Sequence, residues 1–119
     1  MRERRTLGAR ERIRTSAEYR RVLGEGKTCR SRMFVMGVFK SGLPQHRLGL
    51  SVSARRVKKA WLRTRIRRLI KESFRSVRGE IKDGPYDIVL TLRHCPKTRP
   101  DFSCIDKEVK HILSKAGLL

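Results

Sequence analysis

Carboxylates are scarce in this chain, and aromatic side chains are scarcer. Eleven Asp and Glu face 31 Lys and Arg across 119 residues, for a net charge of +20, and Phe, Trp and Tyr together make up 6%. Metal-assisted phosphodiester hydrolysis draws on clustered carboxylates or histidines, and acid–base cleavage on a histidine pair. Here His46, His94 and His111 are dispersed, and Asp83, though close to Asp87, falls in a turn ahead of a strand. No intrinsic catalytic site is expected. The three cysteines, Cys29, Cys95 and Cys104, are odd in number and widely spaced, which argues against a disulfide framework and for a reducing cytoplasm. No Cys/His spacing suits a zinc finger, and no helix pair reads as helix-turn-helix. No apolar run approaches the ~20 residues of a membrane span. No apolar stretch follows the charges of MRERRTLGAR, so a secretory signal is not expected either.

What is present is positive charge, unevenly placed. Residues 1–32 carry 11 basic and 4 acidic side chains, and residues 55–78 carry 11 basic and one acidic, Glu72. The length suits one core, and the aliphatic content is enough to fill it. Residues 1–14 read as a basic N-terminal arm, and 15–119 as a single domain. A cationic surface of this size calls for an anionic partner, nucleic acid first and an anionic membrane surface second.

Thr15-Ser-Ala-Glu18 predicts a capping box, followed by Tyr19, Val22 and Leu23 on one helix face and a stop at Gly24 and Gly26. Met33–Phe39 and Arg47–Ser53 read as strands, with Gly42 and Pro44 marking the loop between them and predicting a hairpin. A short extra strand is expected near Cys29–Arg32. In Arg47–Ser53, Leu48, Leu50 and Val52 alternate with Gly49, Ser51 and Ser53, which predicts a buried face and a face of small residues. A helix from about Lys58 to Arg78 places Leu62, Ile66, Leu69, Ile70, Ser73, Phe74 and Val77 on one face. Tyr86–Leu92 reads as a strand. A last helix, from about Phe102 to Lys115, has Ser103 and Asp106 at capping-box spacing. The order is α-β-β-(β)-α-β-α, an α+β class with helices against one small sheet.

The 58–78 helix carries the functional signal. Arg63, Arg65, Arg67 and Arg68 lie within six residues, Lys71, Arg75 and Arg78 follow, and Arg55, Arg56, Lys58 and Lys59 precede. A solvated helix face usually mixes signs to form i,i+4 pairs. Eleven like charges with one counter-charge repel one another, and a polyphosphate partner relieves that. Arginine suits this partner because its planar fork bonds a phosphate through two N–H groups. An amphipathic membrane helix would need its apolar stripe free, and this chain needs that stripe for its core. Among the few aromatics, Tyr19 is the best candidate for stacking on a single-stranded base, with a core tyrosine the competing reading; Trp61 lies off the apolar stripe.

In order and spacing, these segments resemble the bacterial ribonuclease P protein subunit. The resemblance rests on Arg47-Leu-Gly-Leu-Ser-Val-Ser53, then Lys58-Lys-Ala60, then Arg63-Thr-Arg-Ile-Arg-Arg-Leu-Ile-Lys-Glu-Ser-Phe-Arg75. Arg12–Arg32 and Tyr86-Asp-Ile-Val89 support it, and it spans roughly residues 10–115. It implies a single-domain, ribosomal-protein-like α-β sandwich whose parallel strands are joined by a left-handed βαβ crossover, an exception to the usual hand. It implies an auxiliary role in an endoribonuclease: the RNA subunit, using Mg²⁺, removes the 5′ leader of precursor tRNA, and the protein itself requires no cofactor. The implied partners are the ribonuclease P RNA, one protein per RNA, and the single-stranded leader. By resemblance, Arg55, Arg56, Lys58, Lys59, Arg63, Thr64, Arg65, Arg67, Arg68 and Lys71 face the catalytic RNA. Tyr19, Phe34, Val35, Ser51, Ser53, Arg93 and His94 belong to the leader cleft.

The chain departs from the family pattern at four places. Thr64 stands for the signature's Asn, Ala54 for a Lys, Leu23 for a common second aromatic, and His94 for a Lys or Arg, which makes its charge depend on pH. A ribosomal RNA-binding protein would share the basic helix and the fold class, but the R-x-R-I-R-R-L-I spacing after R-L-G-L-S-V-S argues against it. A self-sufficient nuclease would need clustered carboxylates or a histidine pair, which this sequence does not offer.

Overall fold

The structure, a computed structural model, describes residues 12–13, 15–82, 84–96 and 99–119. Its elements are α1 (Ser16–Glu25), β1 (Lys27–Arg30), β2 (Phe34–Lys40), β3 (Arg47–Ser51), α2 (Ala60–Val77) with a 3₁₀ turn at Arg78–Glu80, β4 (Tyr86–Leu92) and α3 (Phe102–Lys115). This is the α+β order the sequence predicts, with the extra strand at β1. Most of the expected arm lies outside the described residues. Its last part is docked: Arg12 bridges Leu48 in parallel, and the buried Ile13 donates its N–H to the Leu48 carbonyl at 3.0 Å.

α1 starts at the capping box its sequence predicts, with the Thr15 side chain accepting from the Glu18 N–H and the Glu18 carboxylate accepting from the Thr15 N–H. It ends at Gly26, where the backbone turns extended, and only glycine fits there because a Cβ would sit 2.3 Å from the Val38 carbonyl oxygen. α3 differs from expectation. Its N-cap is Asp101, whose carboxylate accepts from the Cys104 N–H at 2.8 Å. Asp106 instead accepts from the Ser73 hydroxyl of α2 at 2.8 Å and pairs with Lys110. A cap must precede the first helical turn, and Ser103 is already inside it.

The hairpin expected between 33–39 and 47–53 is not formed. The sheet order is β1-β2-β4-β3, so β4 lies between β2 and β3. β2 pairs with β4 antiparallel, β3 pairs with β4 parallel, and α2 is the crossover between them. The physical reason is β4 itself. Asp87–Leu90 is buried without a break, and such a strand takes the centre of a sheet. The tight hairpin is β1–β2, turned at Ser31, whose hydroxyl accepts from the Phe34 N–H at 3.1 Å.

The register separates the two faces of the sheet. Phe34, Met36, Leu48, Leu50, Ile88, Leu90 and Leu92 face Ile66, Ile70 and Phe74 of α2 and Ile105, Val109 and Ile112 of α3 in the main core. Each large side chain buried there contributes roughly 1.5–3 kcal/mol. The opposite face carries α1 and only a small cluster of Ile13, Val22 and Val89, with Tyr19 and Phe39 partly buried against it. α1 leaves part of this face open.

Candidate nucleic-acid interface

α2 turns its apolar stripe to the core, so its basic residues are left outside. The loop before it is pinned by Val57, which is 1% exposed and donates its N–H to the Ser53 carbonyl at 3.0 Å. Around that plug Arg55, Arg56, Lys58 and Lys59 are all exposed, as are Thr64 and Arg68 on the helix. Trp61 is 54% exposed, with the Lys59 ammonium 5.9 Å from its ring centre. No acidic residue occupies the first turn of α2, so the positive end of the helix dipole adds to the field.

The other arginines are tethered. Arg63 Nη1 donates to the Val57 and Lys58 carbonyls at 2.8 and 3.0 Å, Arg65 Nε to the Pro100 carbonyl at 2.9 Å, and Arg67 Nη2 to the Val52 carbonyl at 3.2 Å. A carbonyl orients a guanidinium without neutralising it, and each guanidinium has five N–H groups to share. These arginines are held in place with their charge intact. Lys71 is half-buried, and its pKa is lowered, first by burial and then by the nearby charges of Arg12, Arg67 and Arg68. Arg12, Arg67, Lys71 and Tyr19 line a cavity of about 150 Å³ beside β3.

The second region is the uncovered part of the sheet. Gly37, Val89 and Gly49 form the register row beneath α1. One row further on, Arg30, Val35, Thr91 and Ser51 lie side by side across all four strands on the same face. Tyr19 and Leu23 of α1 stand over the neighbouring row, at Gly49 and Gly37. The Tyr19 ring covers Gly49, where a Cβ would lie 2.8 Å from it. Its hydroxyl accepts from the Leu50 N–H at 2.9 Å and donates to the Leu50 carbonyl at 3.1 Å. Leu23 is 44% exposed.

Of the residues expected at this cleft, Val35, Ser51 and Tyr19 are brought together. Arg93 extends from the end of β4 and is oriented by donating to the Ser31 carbonyl at 2.8 Å. Ser53 and His94 are exposed just beyond the strand ends. Phe34 is a correction: it is 0% exposed in the main core, because its parity on β2 points it at α2 and α3 rather than at the α1 face. Arg30 and Thr91 share the row and were not anticipated. Their signal is relational, since only the pairing of β4 with β2 and β3 puts Thr91 between Val35 and Ser51. Among the described residues, no group of three or more His, Cys, Asp or Glu could hold a metal ion. No helix among them is long and apolar enough to cross a membrane.

The chain is similar to known proteins over nearly its whole length. A family model described as Ribonuclease P matches residues 7–117. The chain is 36% identical over 110 residues to a ribonuclease P protein component from Clostridium acetobutylicum, covering 91% of this chain and 90% of that one. It is 38% identical over 108 residues to one from Clostridium kluyveri, covering 90% and 95%. Among solved structures, it is similar to the RNase P protein of Staphylococcus aureus, with a TM-score of 0.80 at 28% identity over 91% of this chain and 96% of that one. It is also similar to the RNase P protein of Thermotoga maritima, with a TM-score of 0.74 at 30% identity over 88% and 96%.

Proposed function

The chain belongs to the ribonuclease P protein family and is a protein subunit of that tRNA-processing ribonucleoprotein; from this we propose that its two cationic regions divide the labour between two RNAs. The exposed loop 53–59 and the outer face of α2 bind the catalytic RNA. The open sheet face bordered by Tyr19 and Leu23 holds the single-stranded 5′ leader of precursor tRNA. Cleavage belongs to the RNA subunit, whose phosphates hold the reaction's Mg²⁺; this chain supplies no catalytic group. It works in the cytoplasm with one protein per RNA.

The observation that carries this reading is the tethering of Arg63, Arg65 and Arg67 by neutral carbonyls next to the exposed Arg55, Arg56 and Arg68. A row of oriented, uncancelled guanidinium groups is a receptor for a phosphate backbone, and binding releases the counterions condensed on the RNA. The sheet face is different. It is narrow, lined by Val35, Thr91 and Ser51, and has cations at Arg30 and Arg93. An extended strand fits such a surface, with its bases over the small side chains and its phosphates toward the arginines.

The test is cleavage of precursor tRNA at low Mg²⁺ by the protein alone, the cognate RNA subunit alone, and the two together. Cleavage that is far faster in the mixture and absent from RNA-free protein is the expected result. Cleavage by protein alone would make the chain a nuclease. No enhancement by folded protein would leave it a structural RNA-binding protein.

A further inference from the structure

Arg47 opens the β3 strand, and its guanidinium is turned to carboxylates rather than to solvent. Its side chain is 19% exposed, and each of its three nitrogens donates to a carboxylate. Nε and Nη2 grip both oxygens of Asp87 on β4, at 2.8 and 2.6 Å, and Nη1 donates to Glu18 of α1. Asp87 is buried, and Glu18 uses its other oxygen to close the capping box at Thr15. One side chain therefore joins β3, β4 and the first turn of α1.

This joint matters because α1 is otherwise thinly attached. Only Val22 of the helix is buried, whereas α2 and α3 bury ten side chains between them. Arg21 adds a cation–π contact 4.8 Å above the Phe39 ring. Glu18 immediately precedes Tyr19, and Arg47 lies two residues before Gly49 on the same face of β3, so the ion pair and the tyrosine contact are adjacent anchors of one helix. A bidentate guanidinium fixes direction as well as distance.

We infer that Arg47 is a positioning residue: through Glu18 it sets the seat of α1 on the sheet, and with it the place of the Tyr19 and Leu23 wall over the Val35, Thr91 and Ser51 row. This rests on the reading that the row and its wall hold the leader. Arg47 itself touches no RNA. Its effect is on substrates that carry a leader.

The experiment uses holoenzyme reconstituted with wild-type protein or with Arg47→Gln, Arg47→Lys, Glu18→Gln or Tyr19→Ala. It measures affinity for precursor tRNA, for leaderless mature tRNA and for the catalytic RNA. Arg47→Gln is expected to weaken precursor binding roughly 10-fold, the size of a lost charge-assisted anchor, with mature-tRNA and catalytic-RNA affinities unchanged. Arg47→Lys, which keeps the charge but not the fork, restores part of the loss. Glu18→Gln keeps a capping-box residue but removes the charge, and is expected to show the same leader-specific loss at smaller size. It decides the matter if Arg47→Gln, which strands Asp87, does not fold. Equal losses for precursor and mature tRNA, or a loss of catalytic-RNA affinity, would overturn the positioning role. So would retained precursor preference in both the Arg47 and Glu18 variants while Tyr19→Ala abolishes it. If wild-type holoenzyme itself does not prefer precursor tRNA, or Tyr19→Ala leaves that preference intact, it is the leader-cleft reading that fails.

Discussion

The outer face of α2 and the open face of the sheet are both cationic, yet they are built in opposite ways. The α2 region is one continuous stretch of chain, and its geometry follows from a single helix standing on its apolar stripe. Its arginines are oriented by backbone carbonyls, those of Val52, Val57 and Lys58 just before the helix and, for Arg65 alone, the distant Pro100. The sheet region takes residues from four strands and one helix, and its shape depends on how α1 is moored. The difference teaches where each surface is vulnerable. On the proposed assignment, the first surface loses RNA affinity one charge at a time, whereas the second can lose it through residues that never meet the leader.

Mutations that separate the two surfaces sharpen this comparison. The largest effect is expected from Arg65→Ala combined with Arg68→Ala. Catalytic-RNA affinity should fall by about 100-fold, and the slope of log affinity against log salt should flatten by about two, near one per lost phosphate contact. Fluorescence titration across a salt series reads both quantities. An unchanged slope in folded protein would remove α2 from the interface.

Gly49→Ala attacks the second surface from beneath. Its Cβ would meet the Tyr19 ring at 2.8 Å, so the tyrosine must leave its place over β3. A loss of about 1–3 kcal/mol in stability is expected, as for other overpacked sites. Precursor tRNA should lose affinity while catalytic RNA does not. Denaturant unfolding and the two binding assays together check this, and a loss for catalytic RNA as well would merge the two surfaces into one. Tyr19→Phe is milder. It keeps the ring and removes the two hydrogen bonds to Leu50, at about 0.5–1.5 kcal/mol each. Urea unfolding should register that loss with little change in precursor binding if stacking carries the contact.

The smallest effect concerns the frame that both surfaces share. His46 stacks on Tyr86 and accepts the Tyr86 N–H at Nδ1, 3.0 Å away, so it must be neutral there. Burial lowers its pKa below its ordinary value of 6.5. The unfolded chain then binds the proton more readily than the folded one. This contribution is complete above about pH 6.5 and declines as pH falls through the folded value. A thermal-unfolding series from pH 7.5 to 5 should show the decline, and His46→Gln should flatten it.

How far these features could be read in advance depends on the range of the interactions behind them. The α1 capping box, the apolar stripe of α2 and the exposed position of Trp61 are set by residues within a few positions of one another, and all are legible. Phe34 is placed at the cleft by resemblance alone, and the local pattern does not correct it: Val35 and Met36 are both apolar, so its parity stays open until β4 is seen to pair with β2. The hairpin was misplaced for a related reason. A two-residue period identifies a strand and its faces but is silent about its neighbour, and Gly42 and Pro44 mark a turn without saying how far the chain travels after it. Arg47 reads in sequence as one more cation; only the approach of Glu18 and Asp87 makes it a joint.

The elements, the charge and an anionic, nucleic-acid class of partner are legible without coordinates. Helical periodicity and net charge are sums over near neighbours, so they survive without coordinates. It takes the packed fold to put β4 inside the sheet, Arg30, Val35, Thr91 and Ser51 in one row, and Arg47 against carboxylates. Those depend on contacts between residues far apart in the chain, such as Val35 and Thr91, 56 positions apart, and they arise because burying both faces of one apolar strand orders everything packed around it.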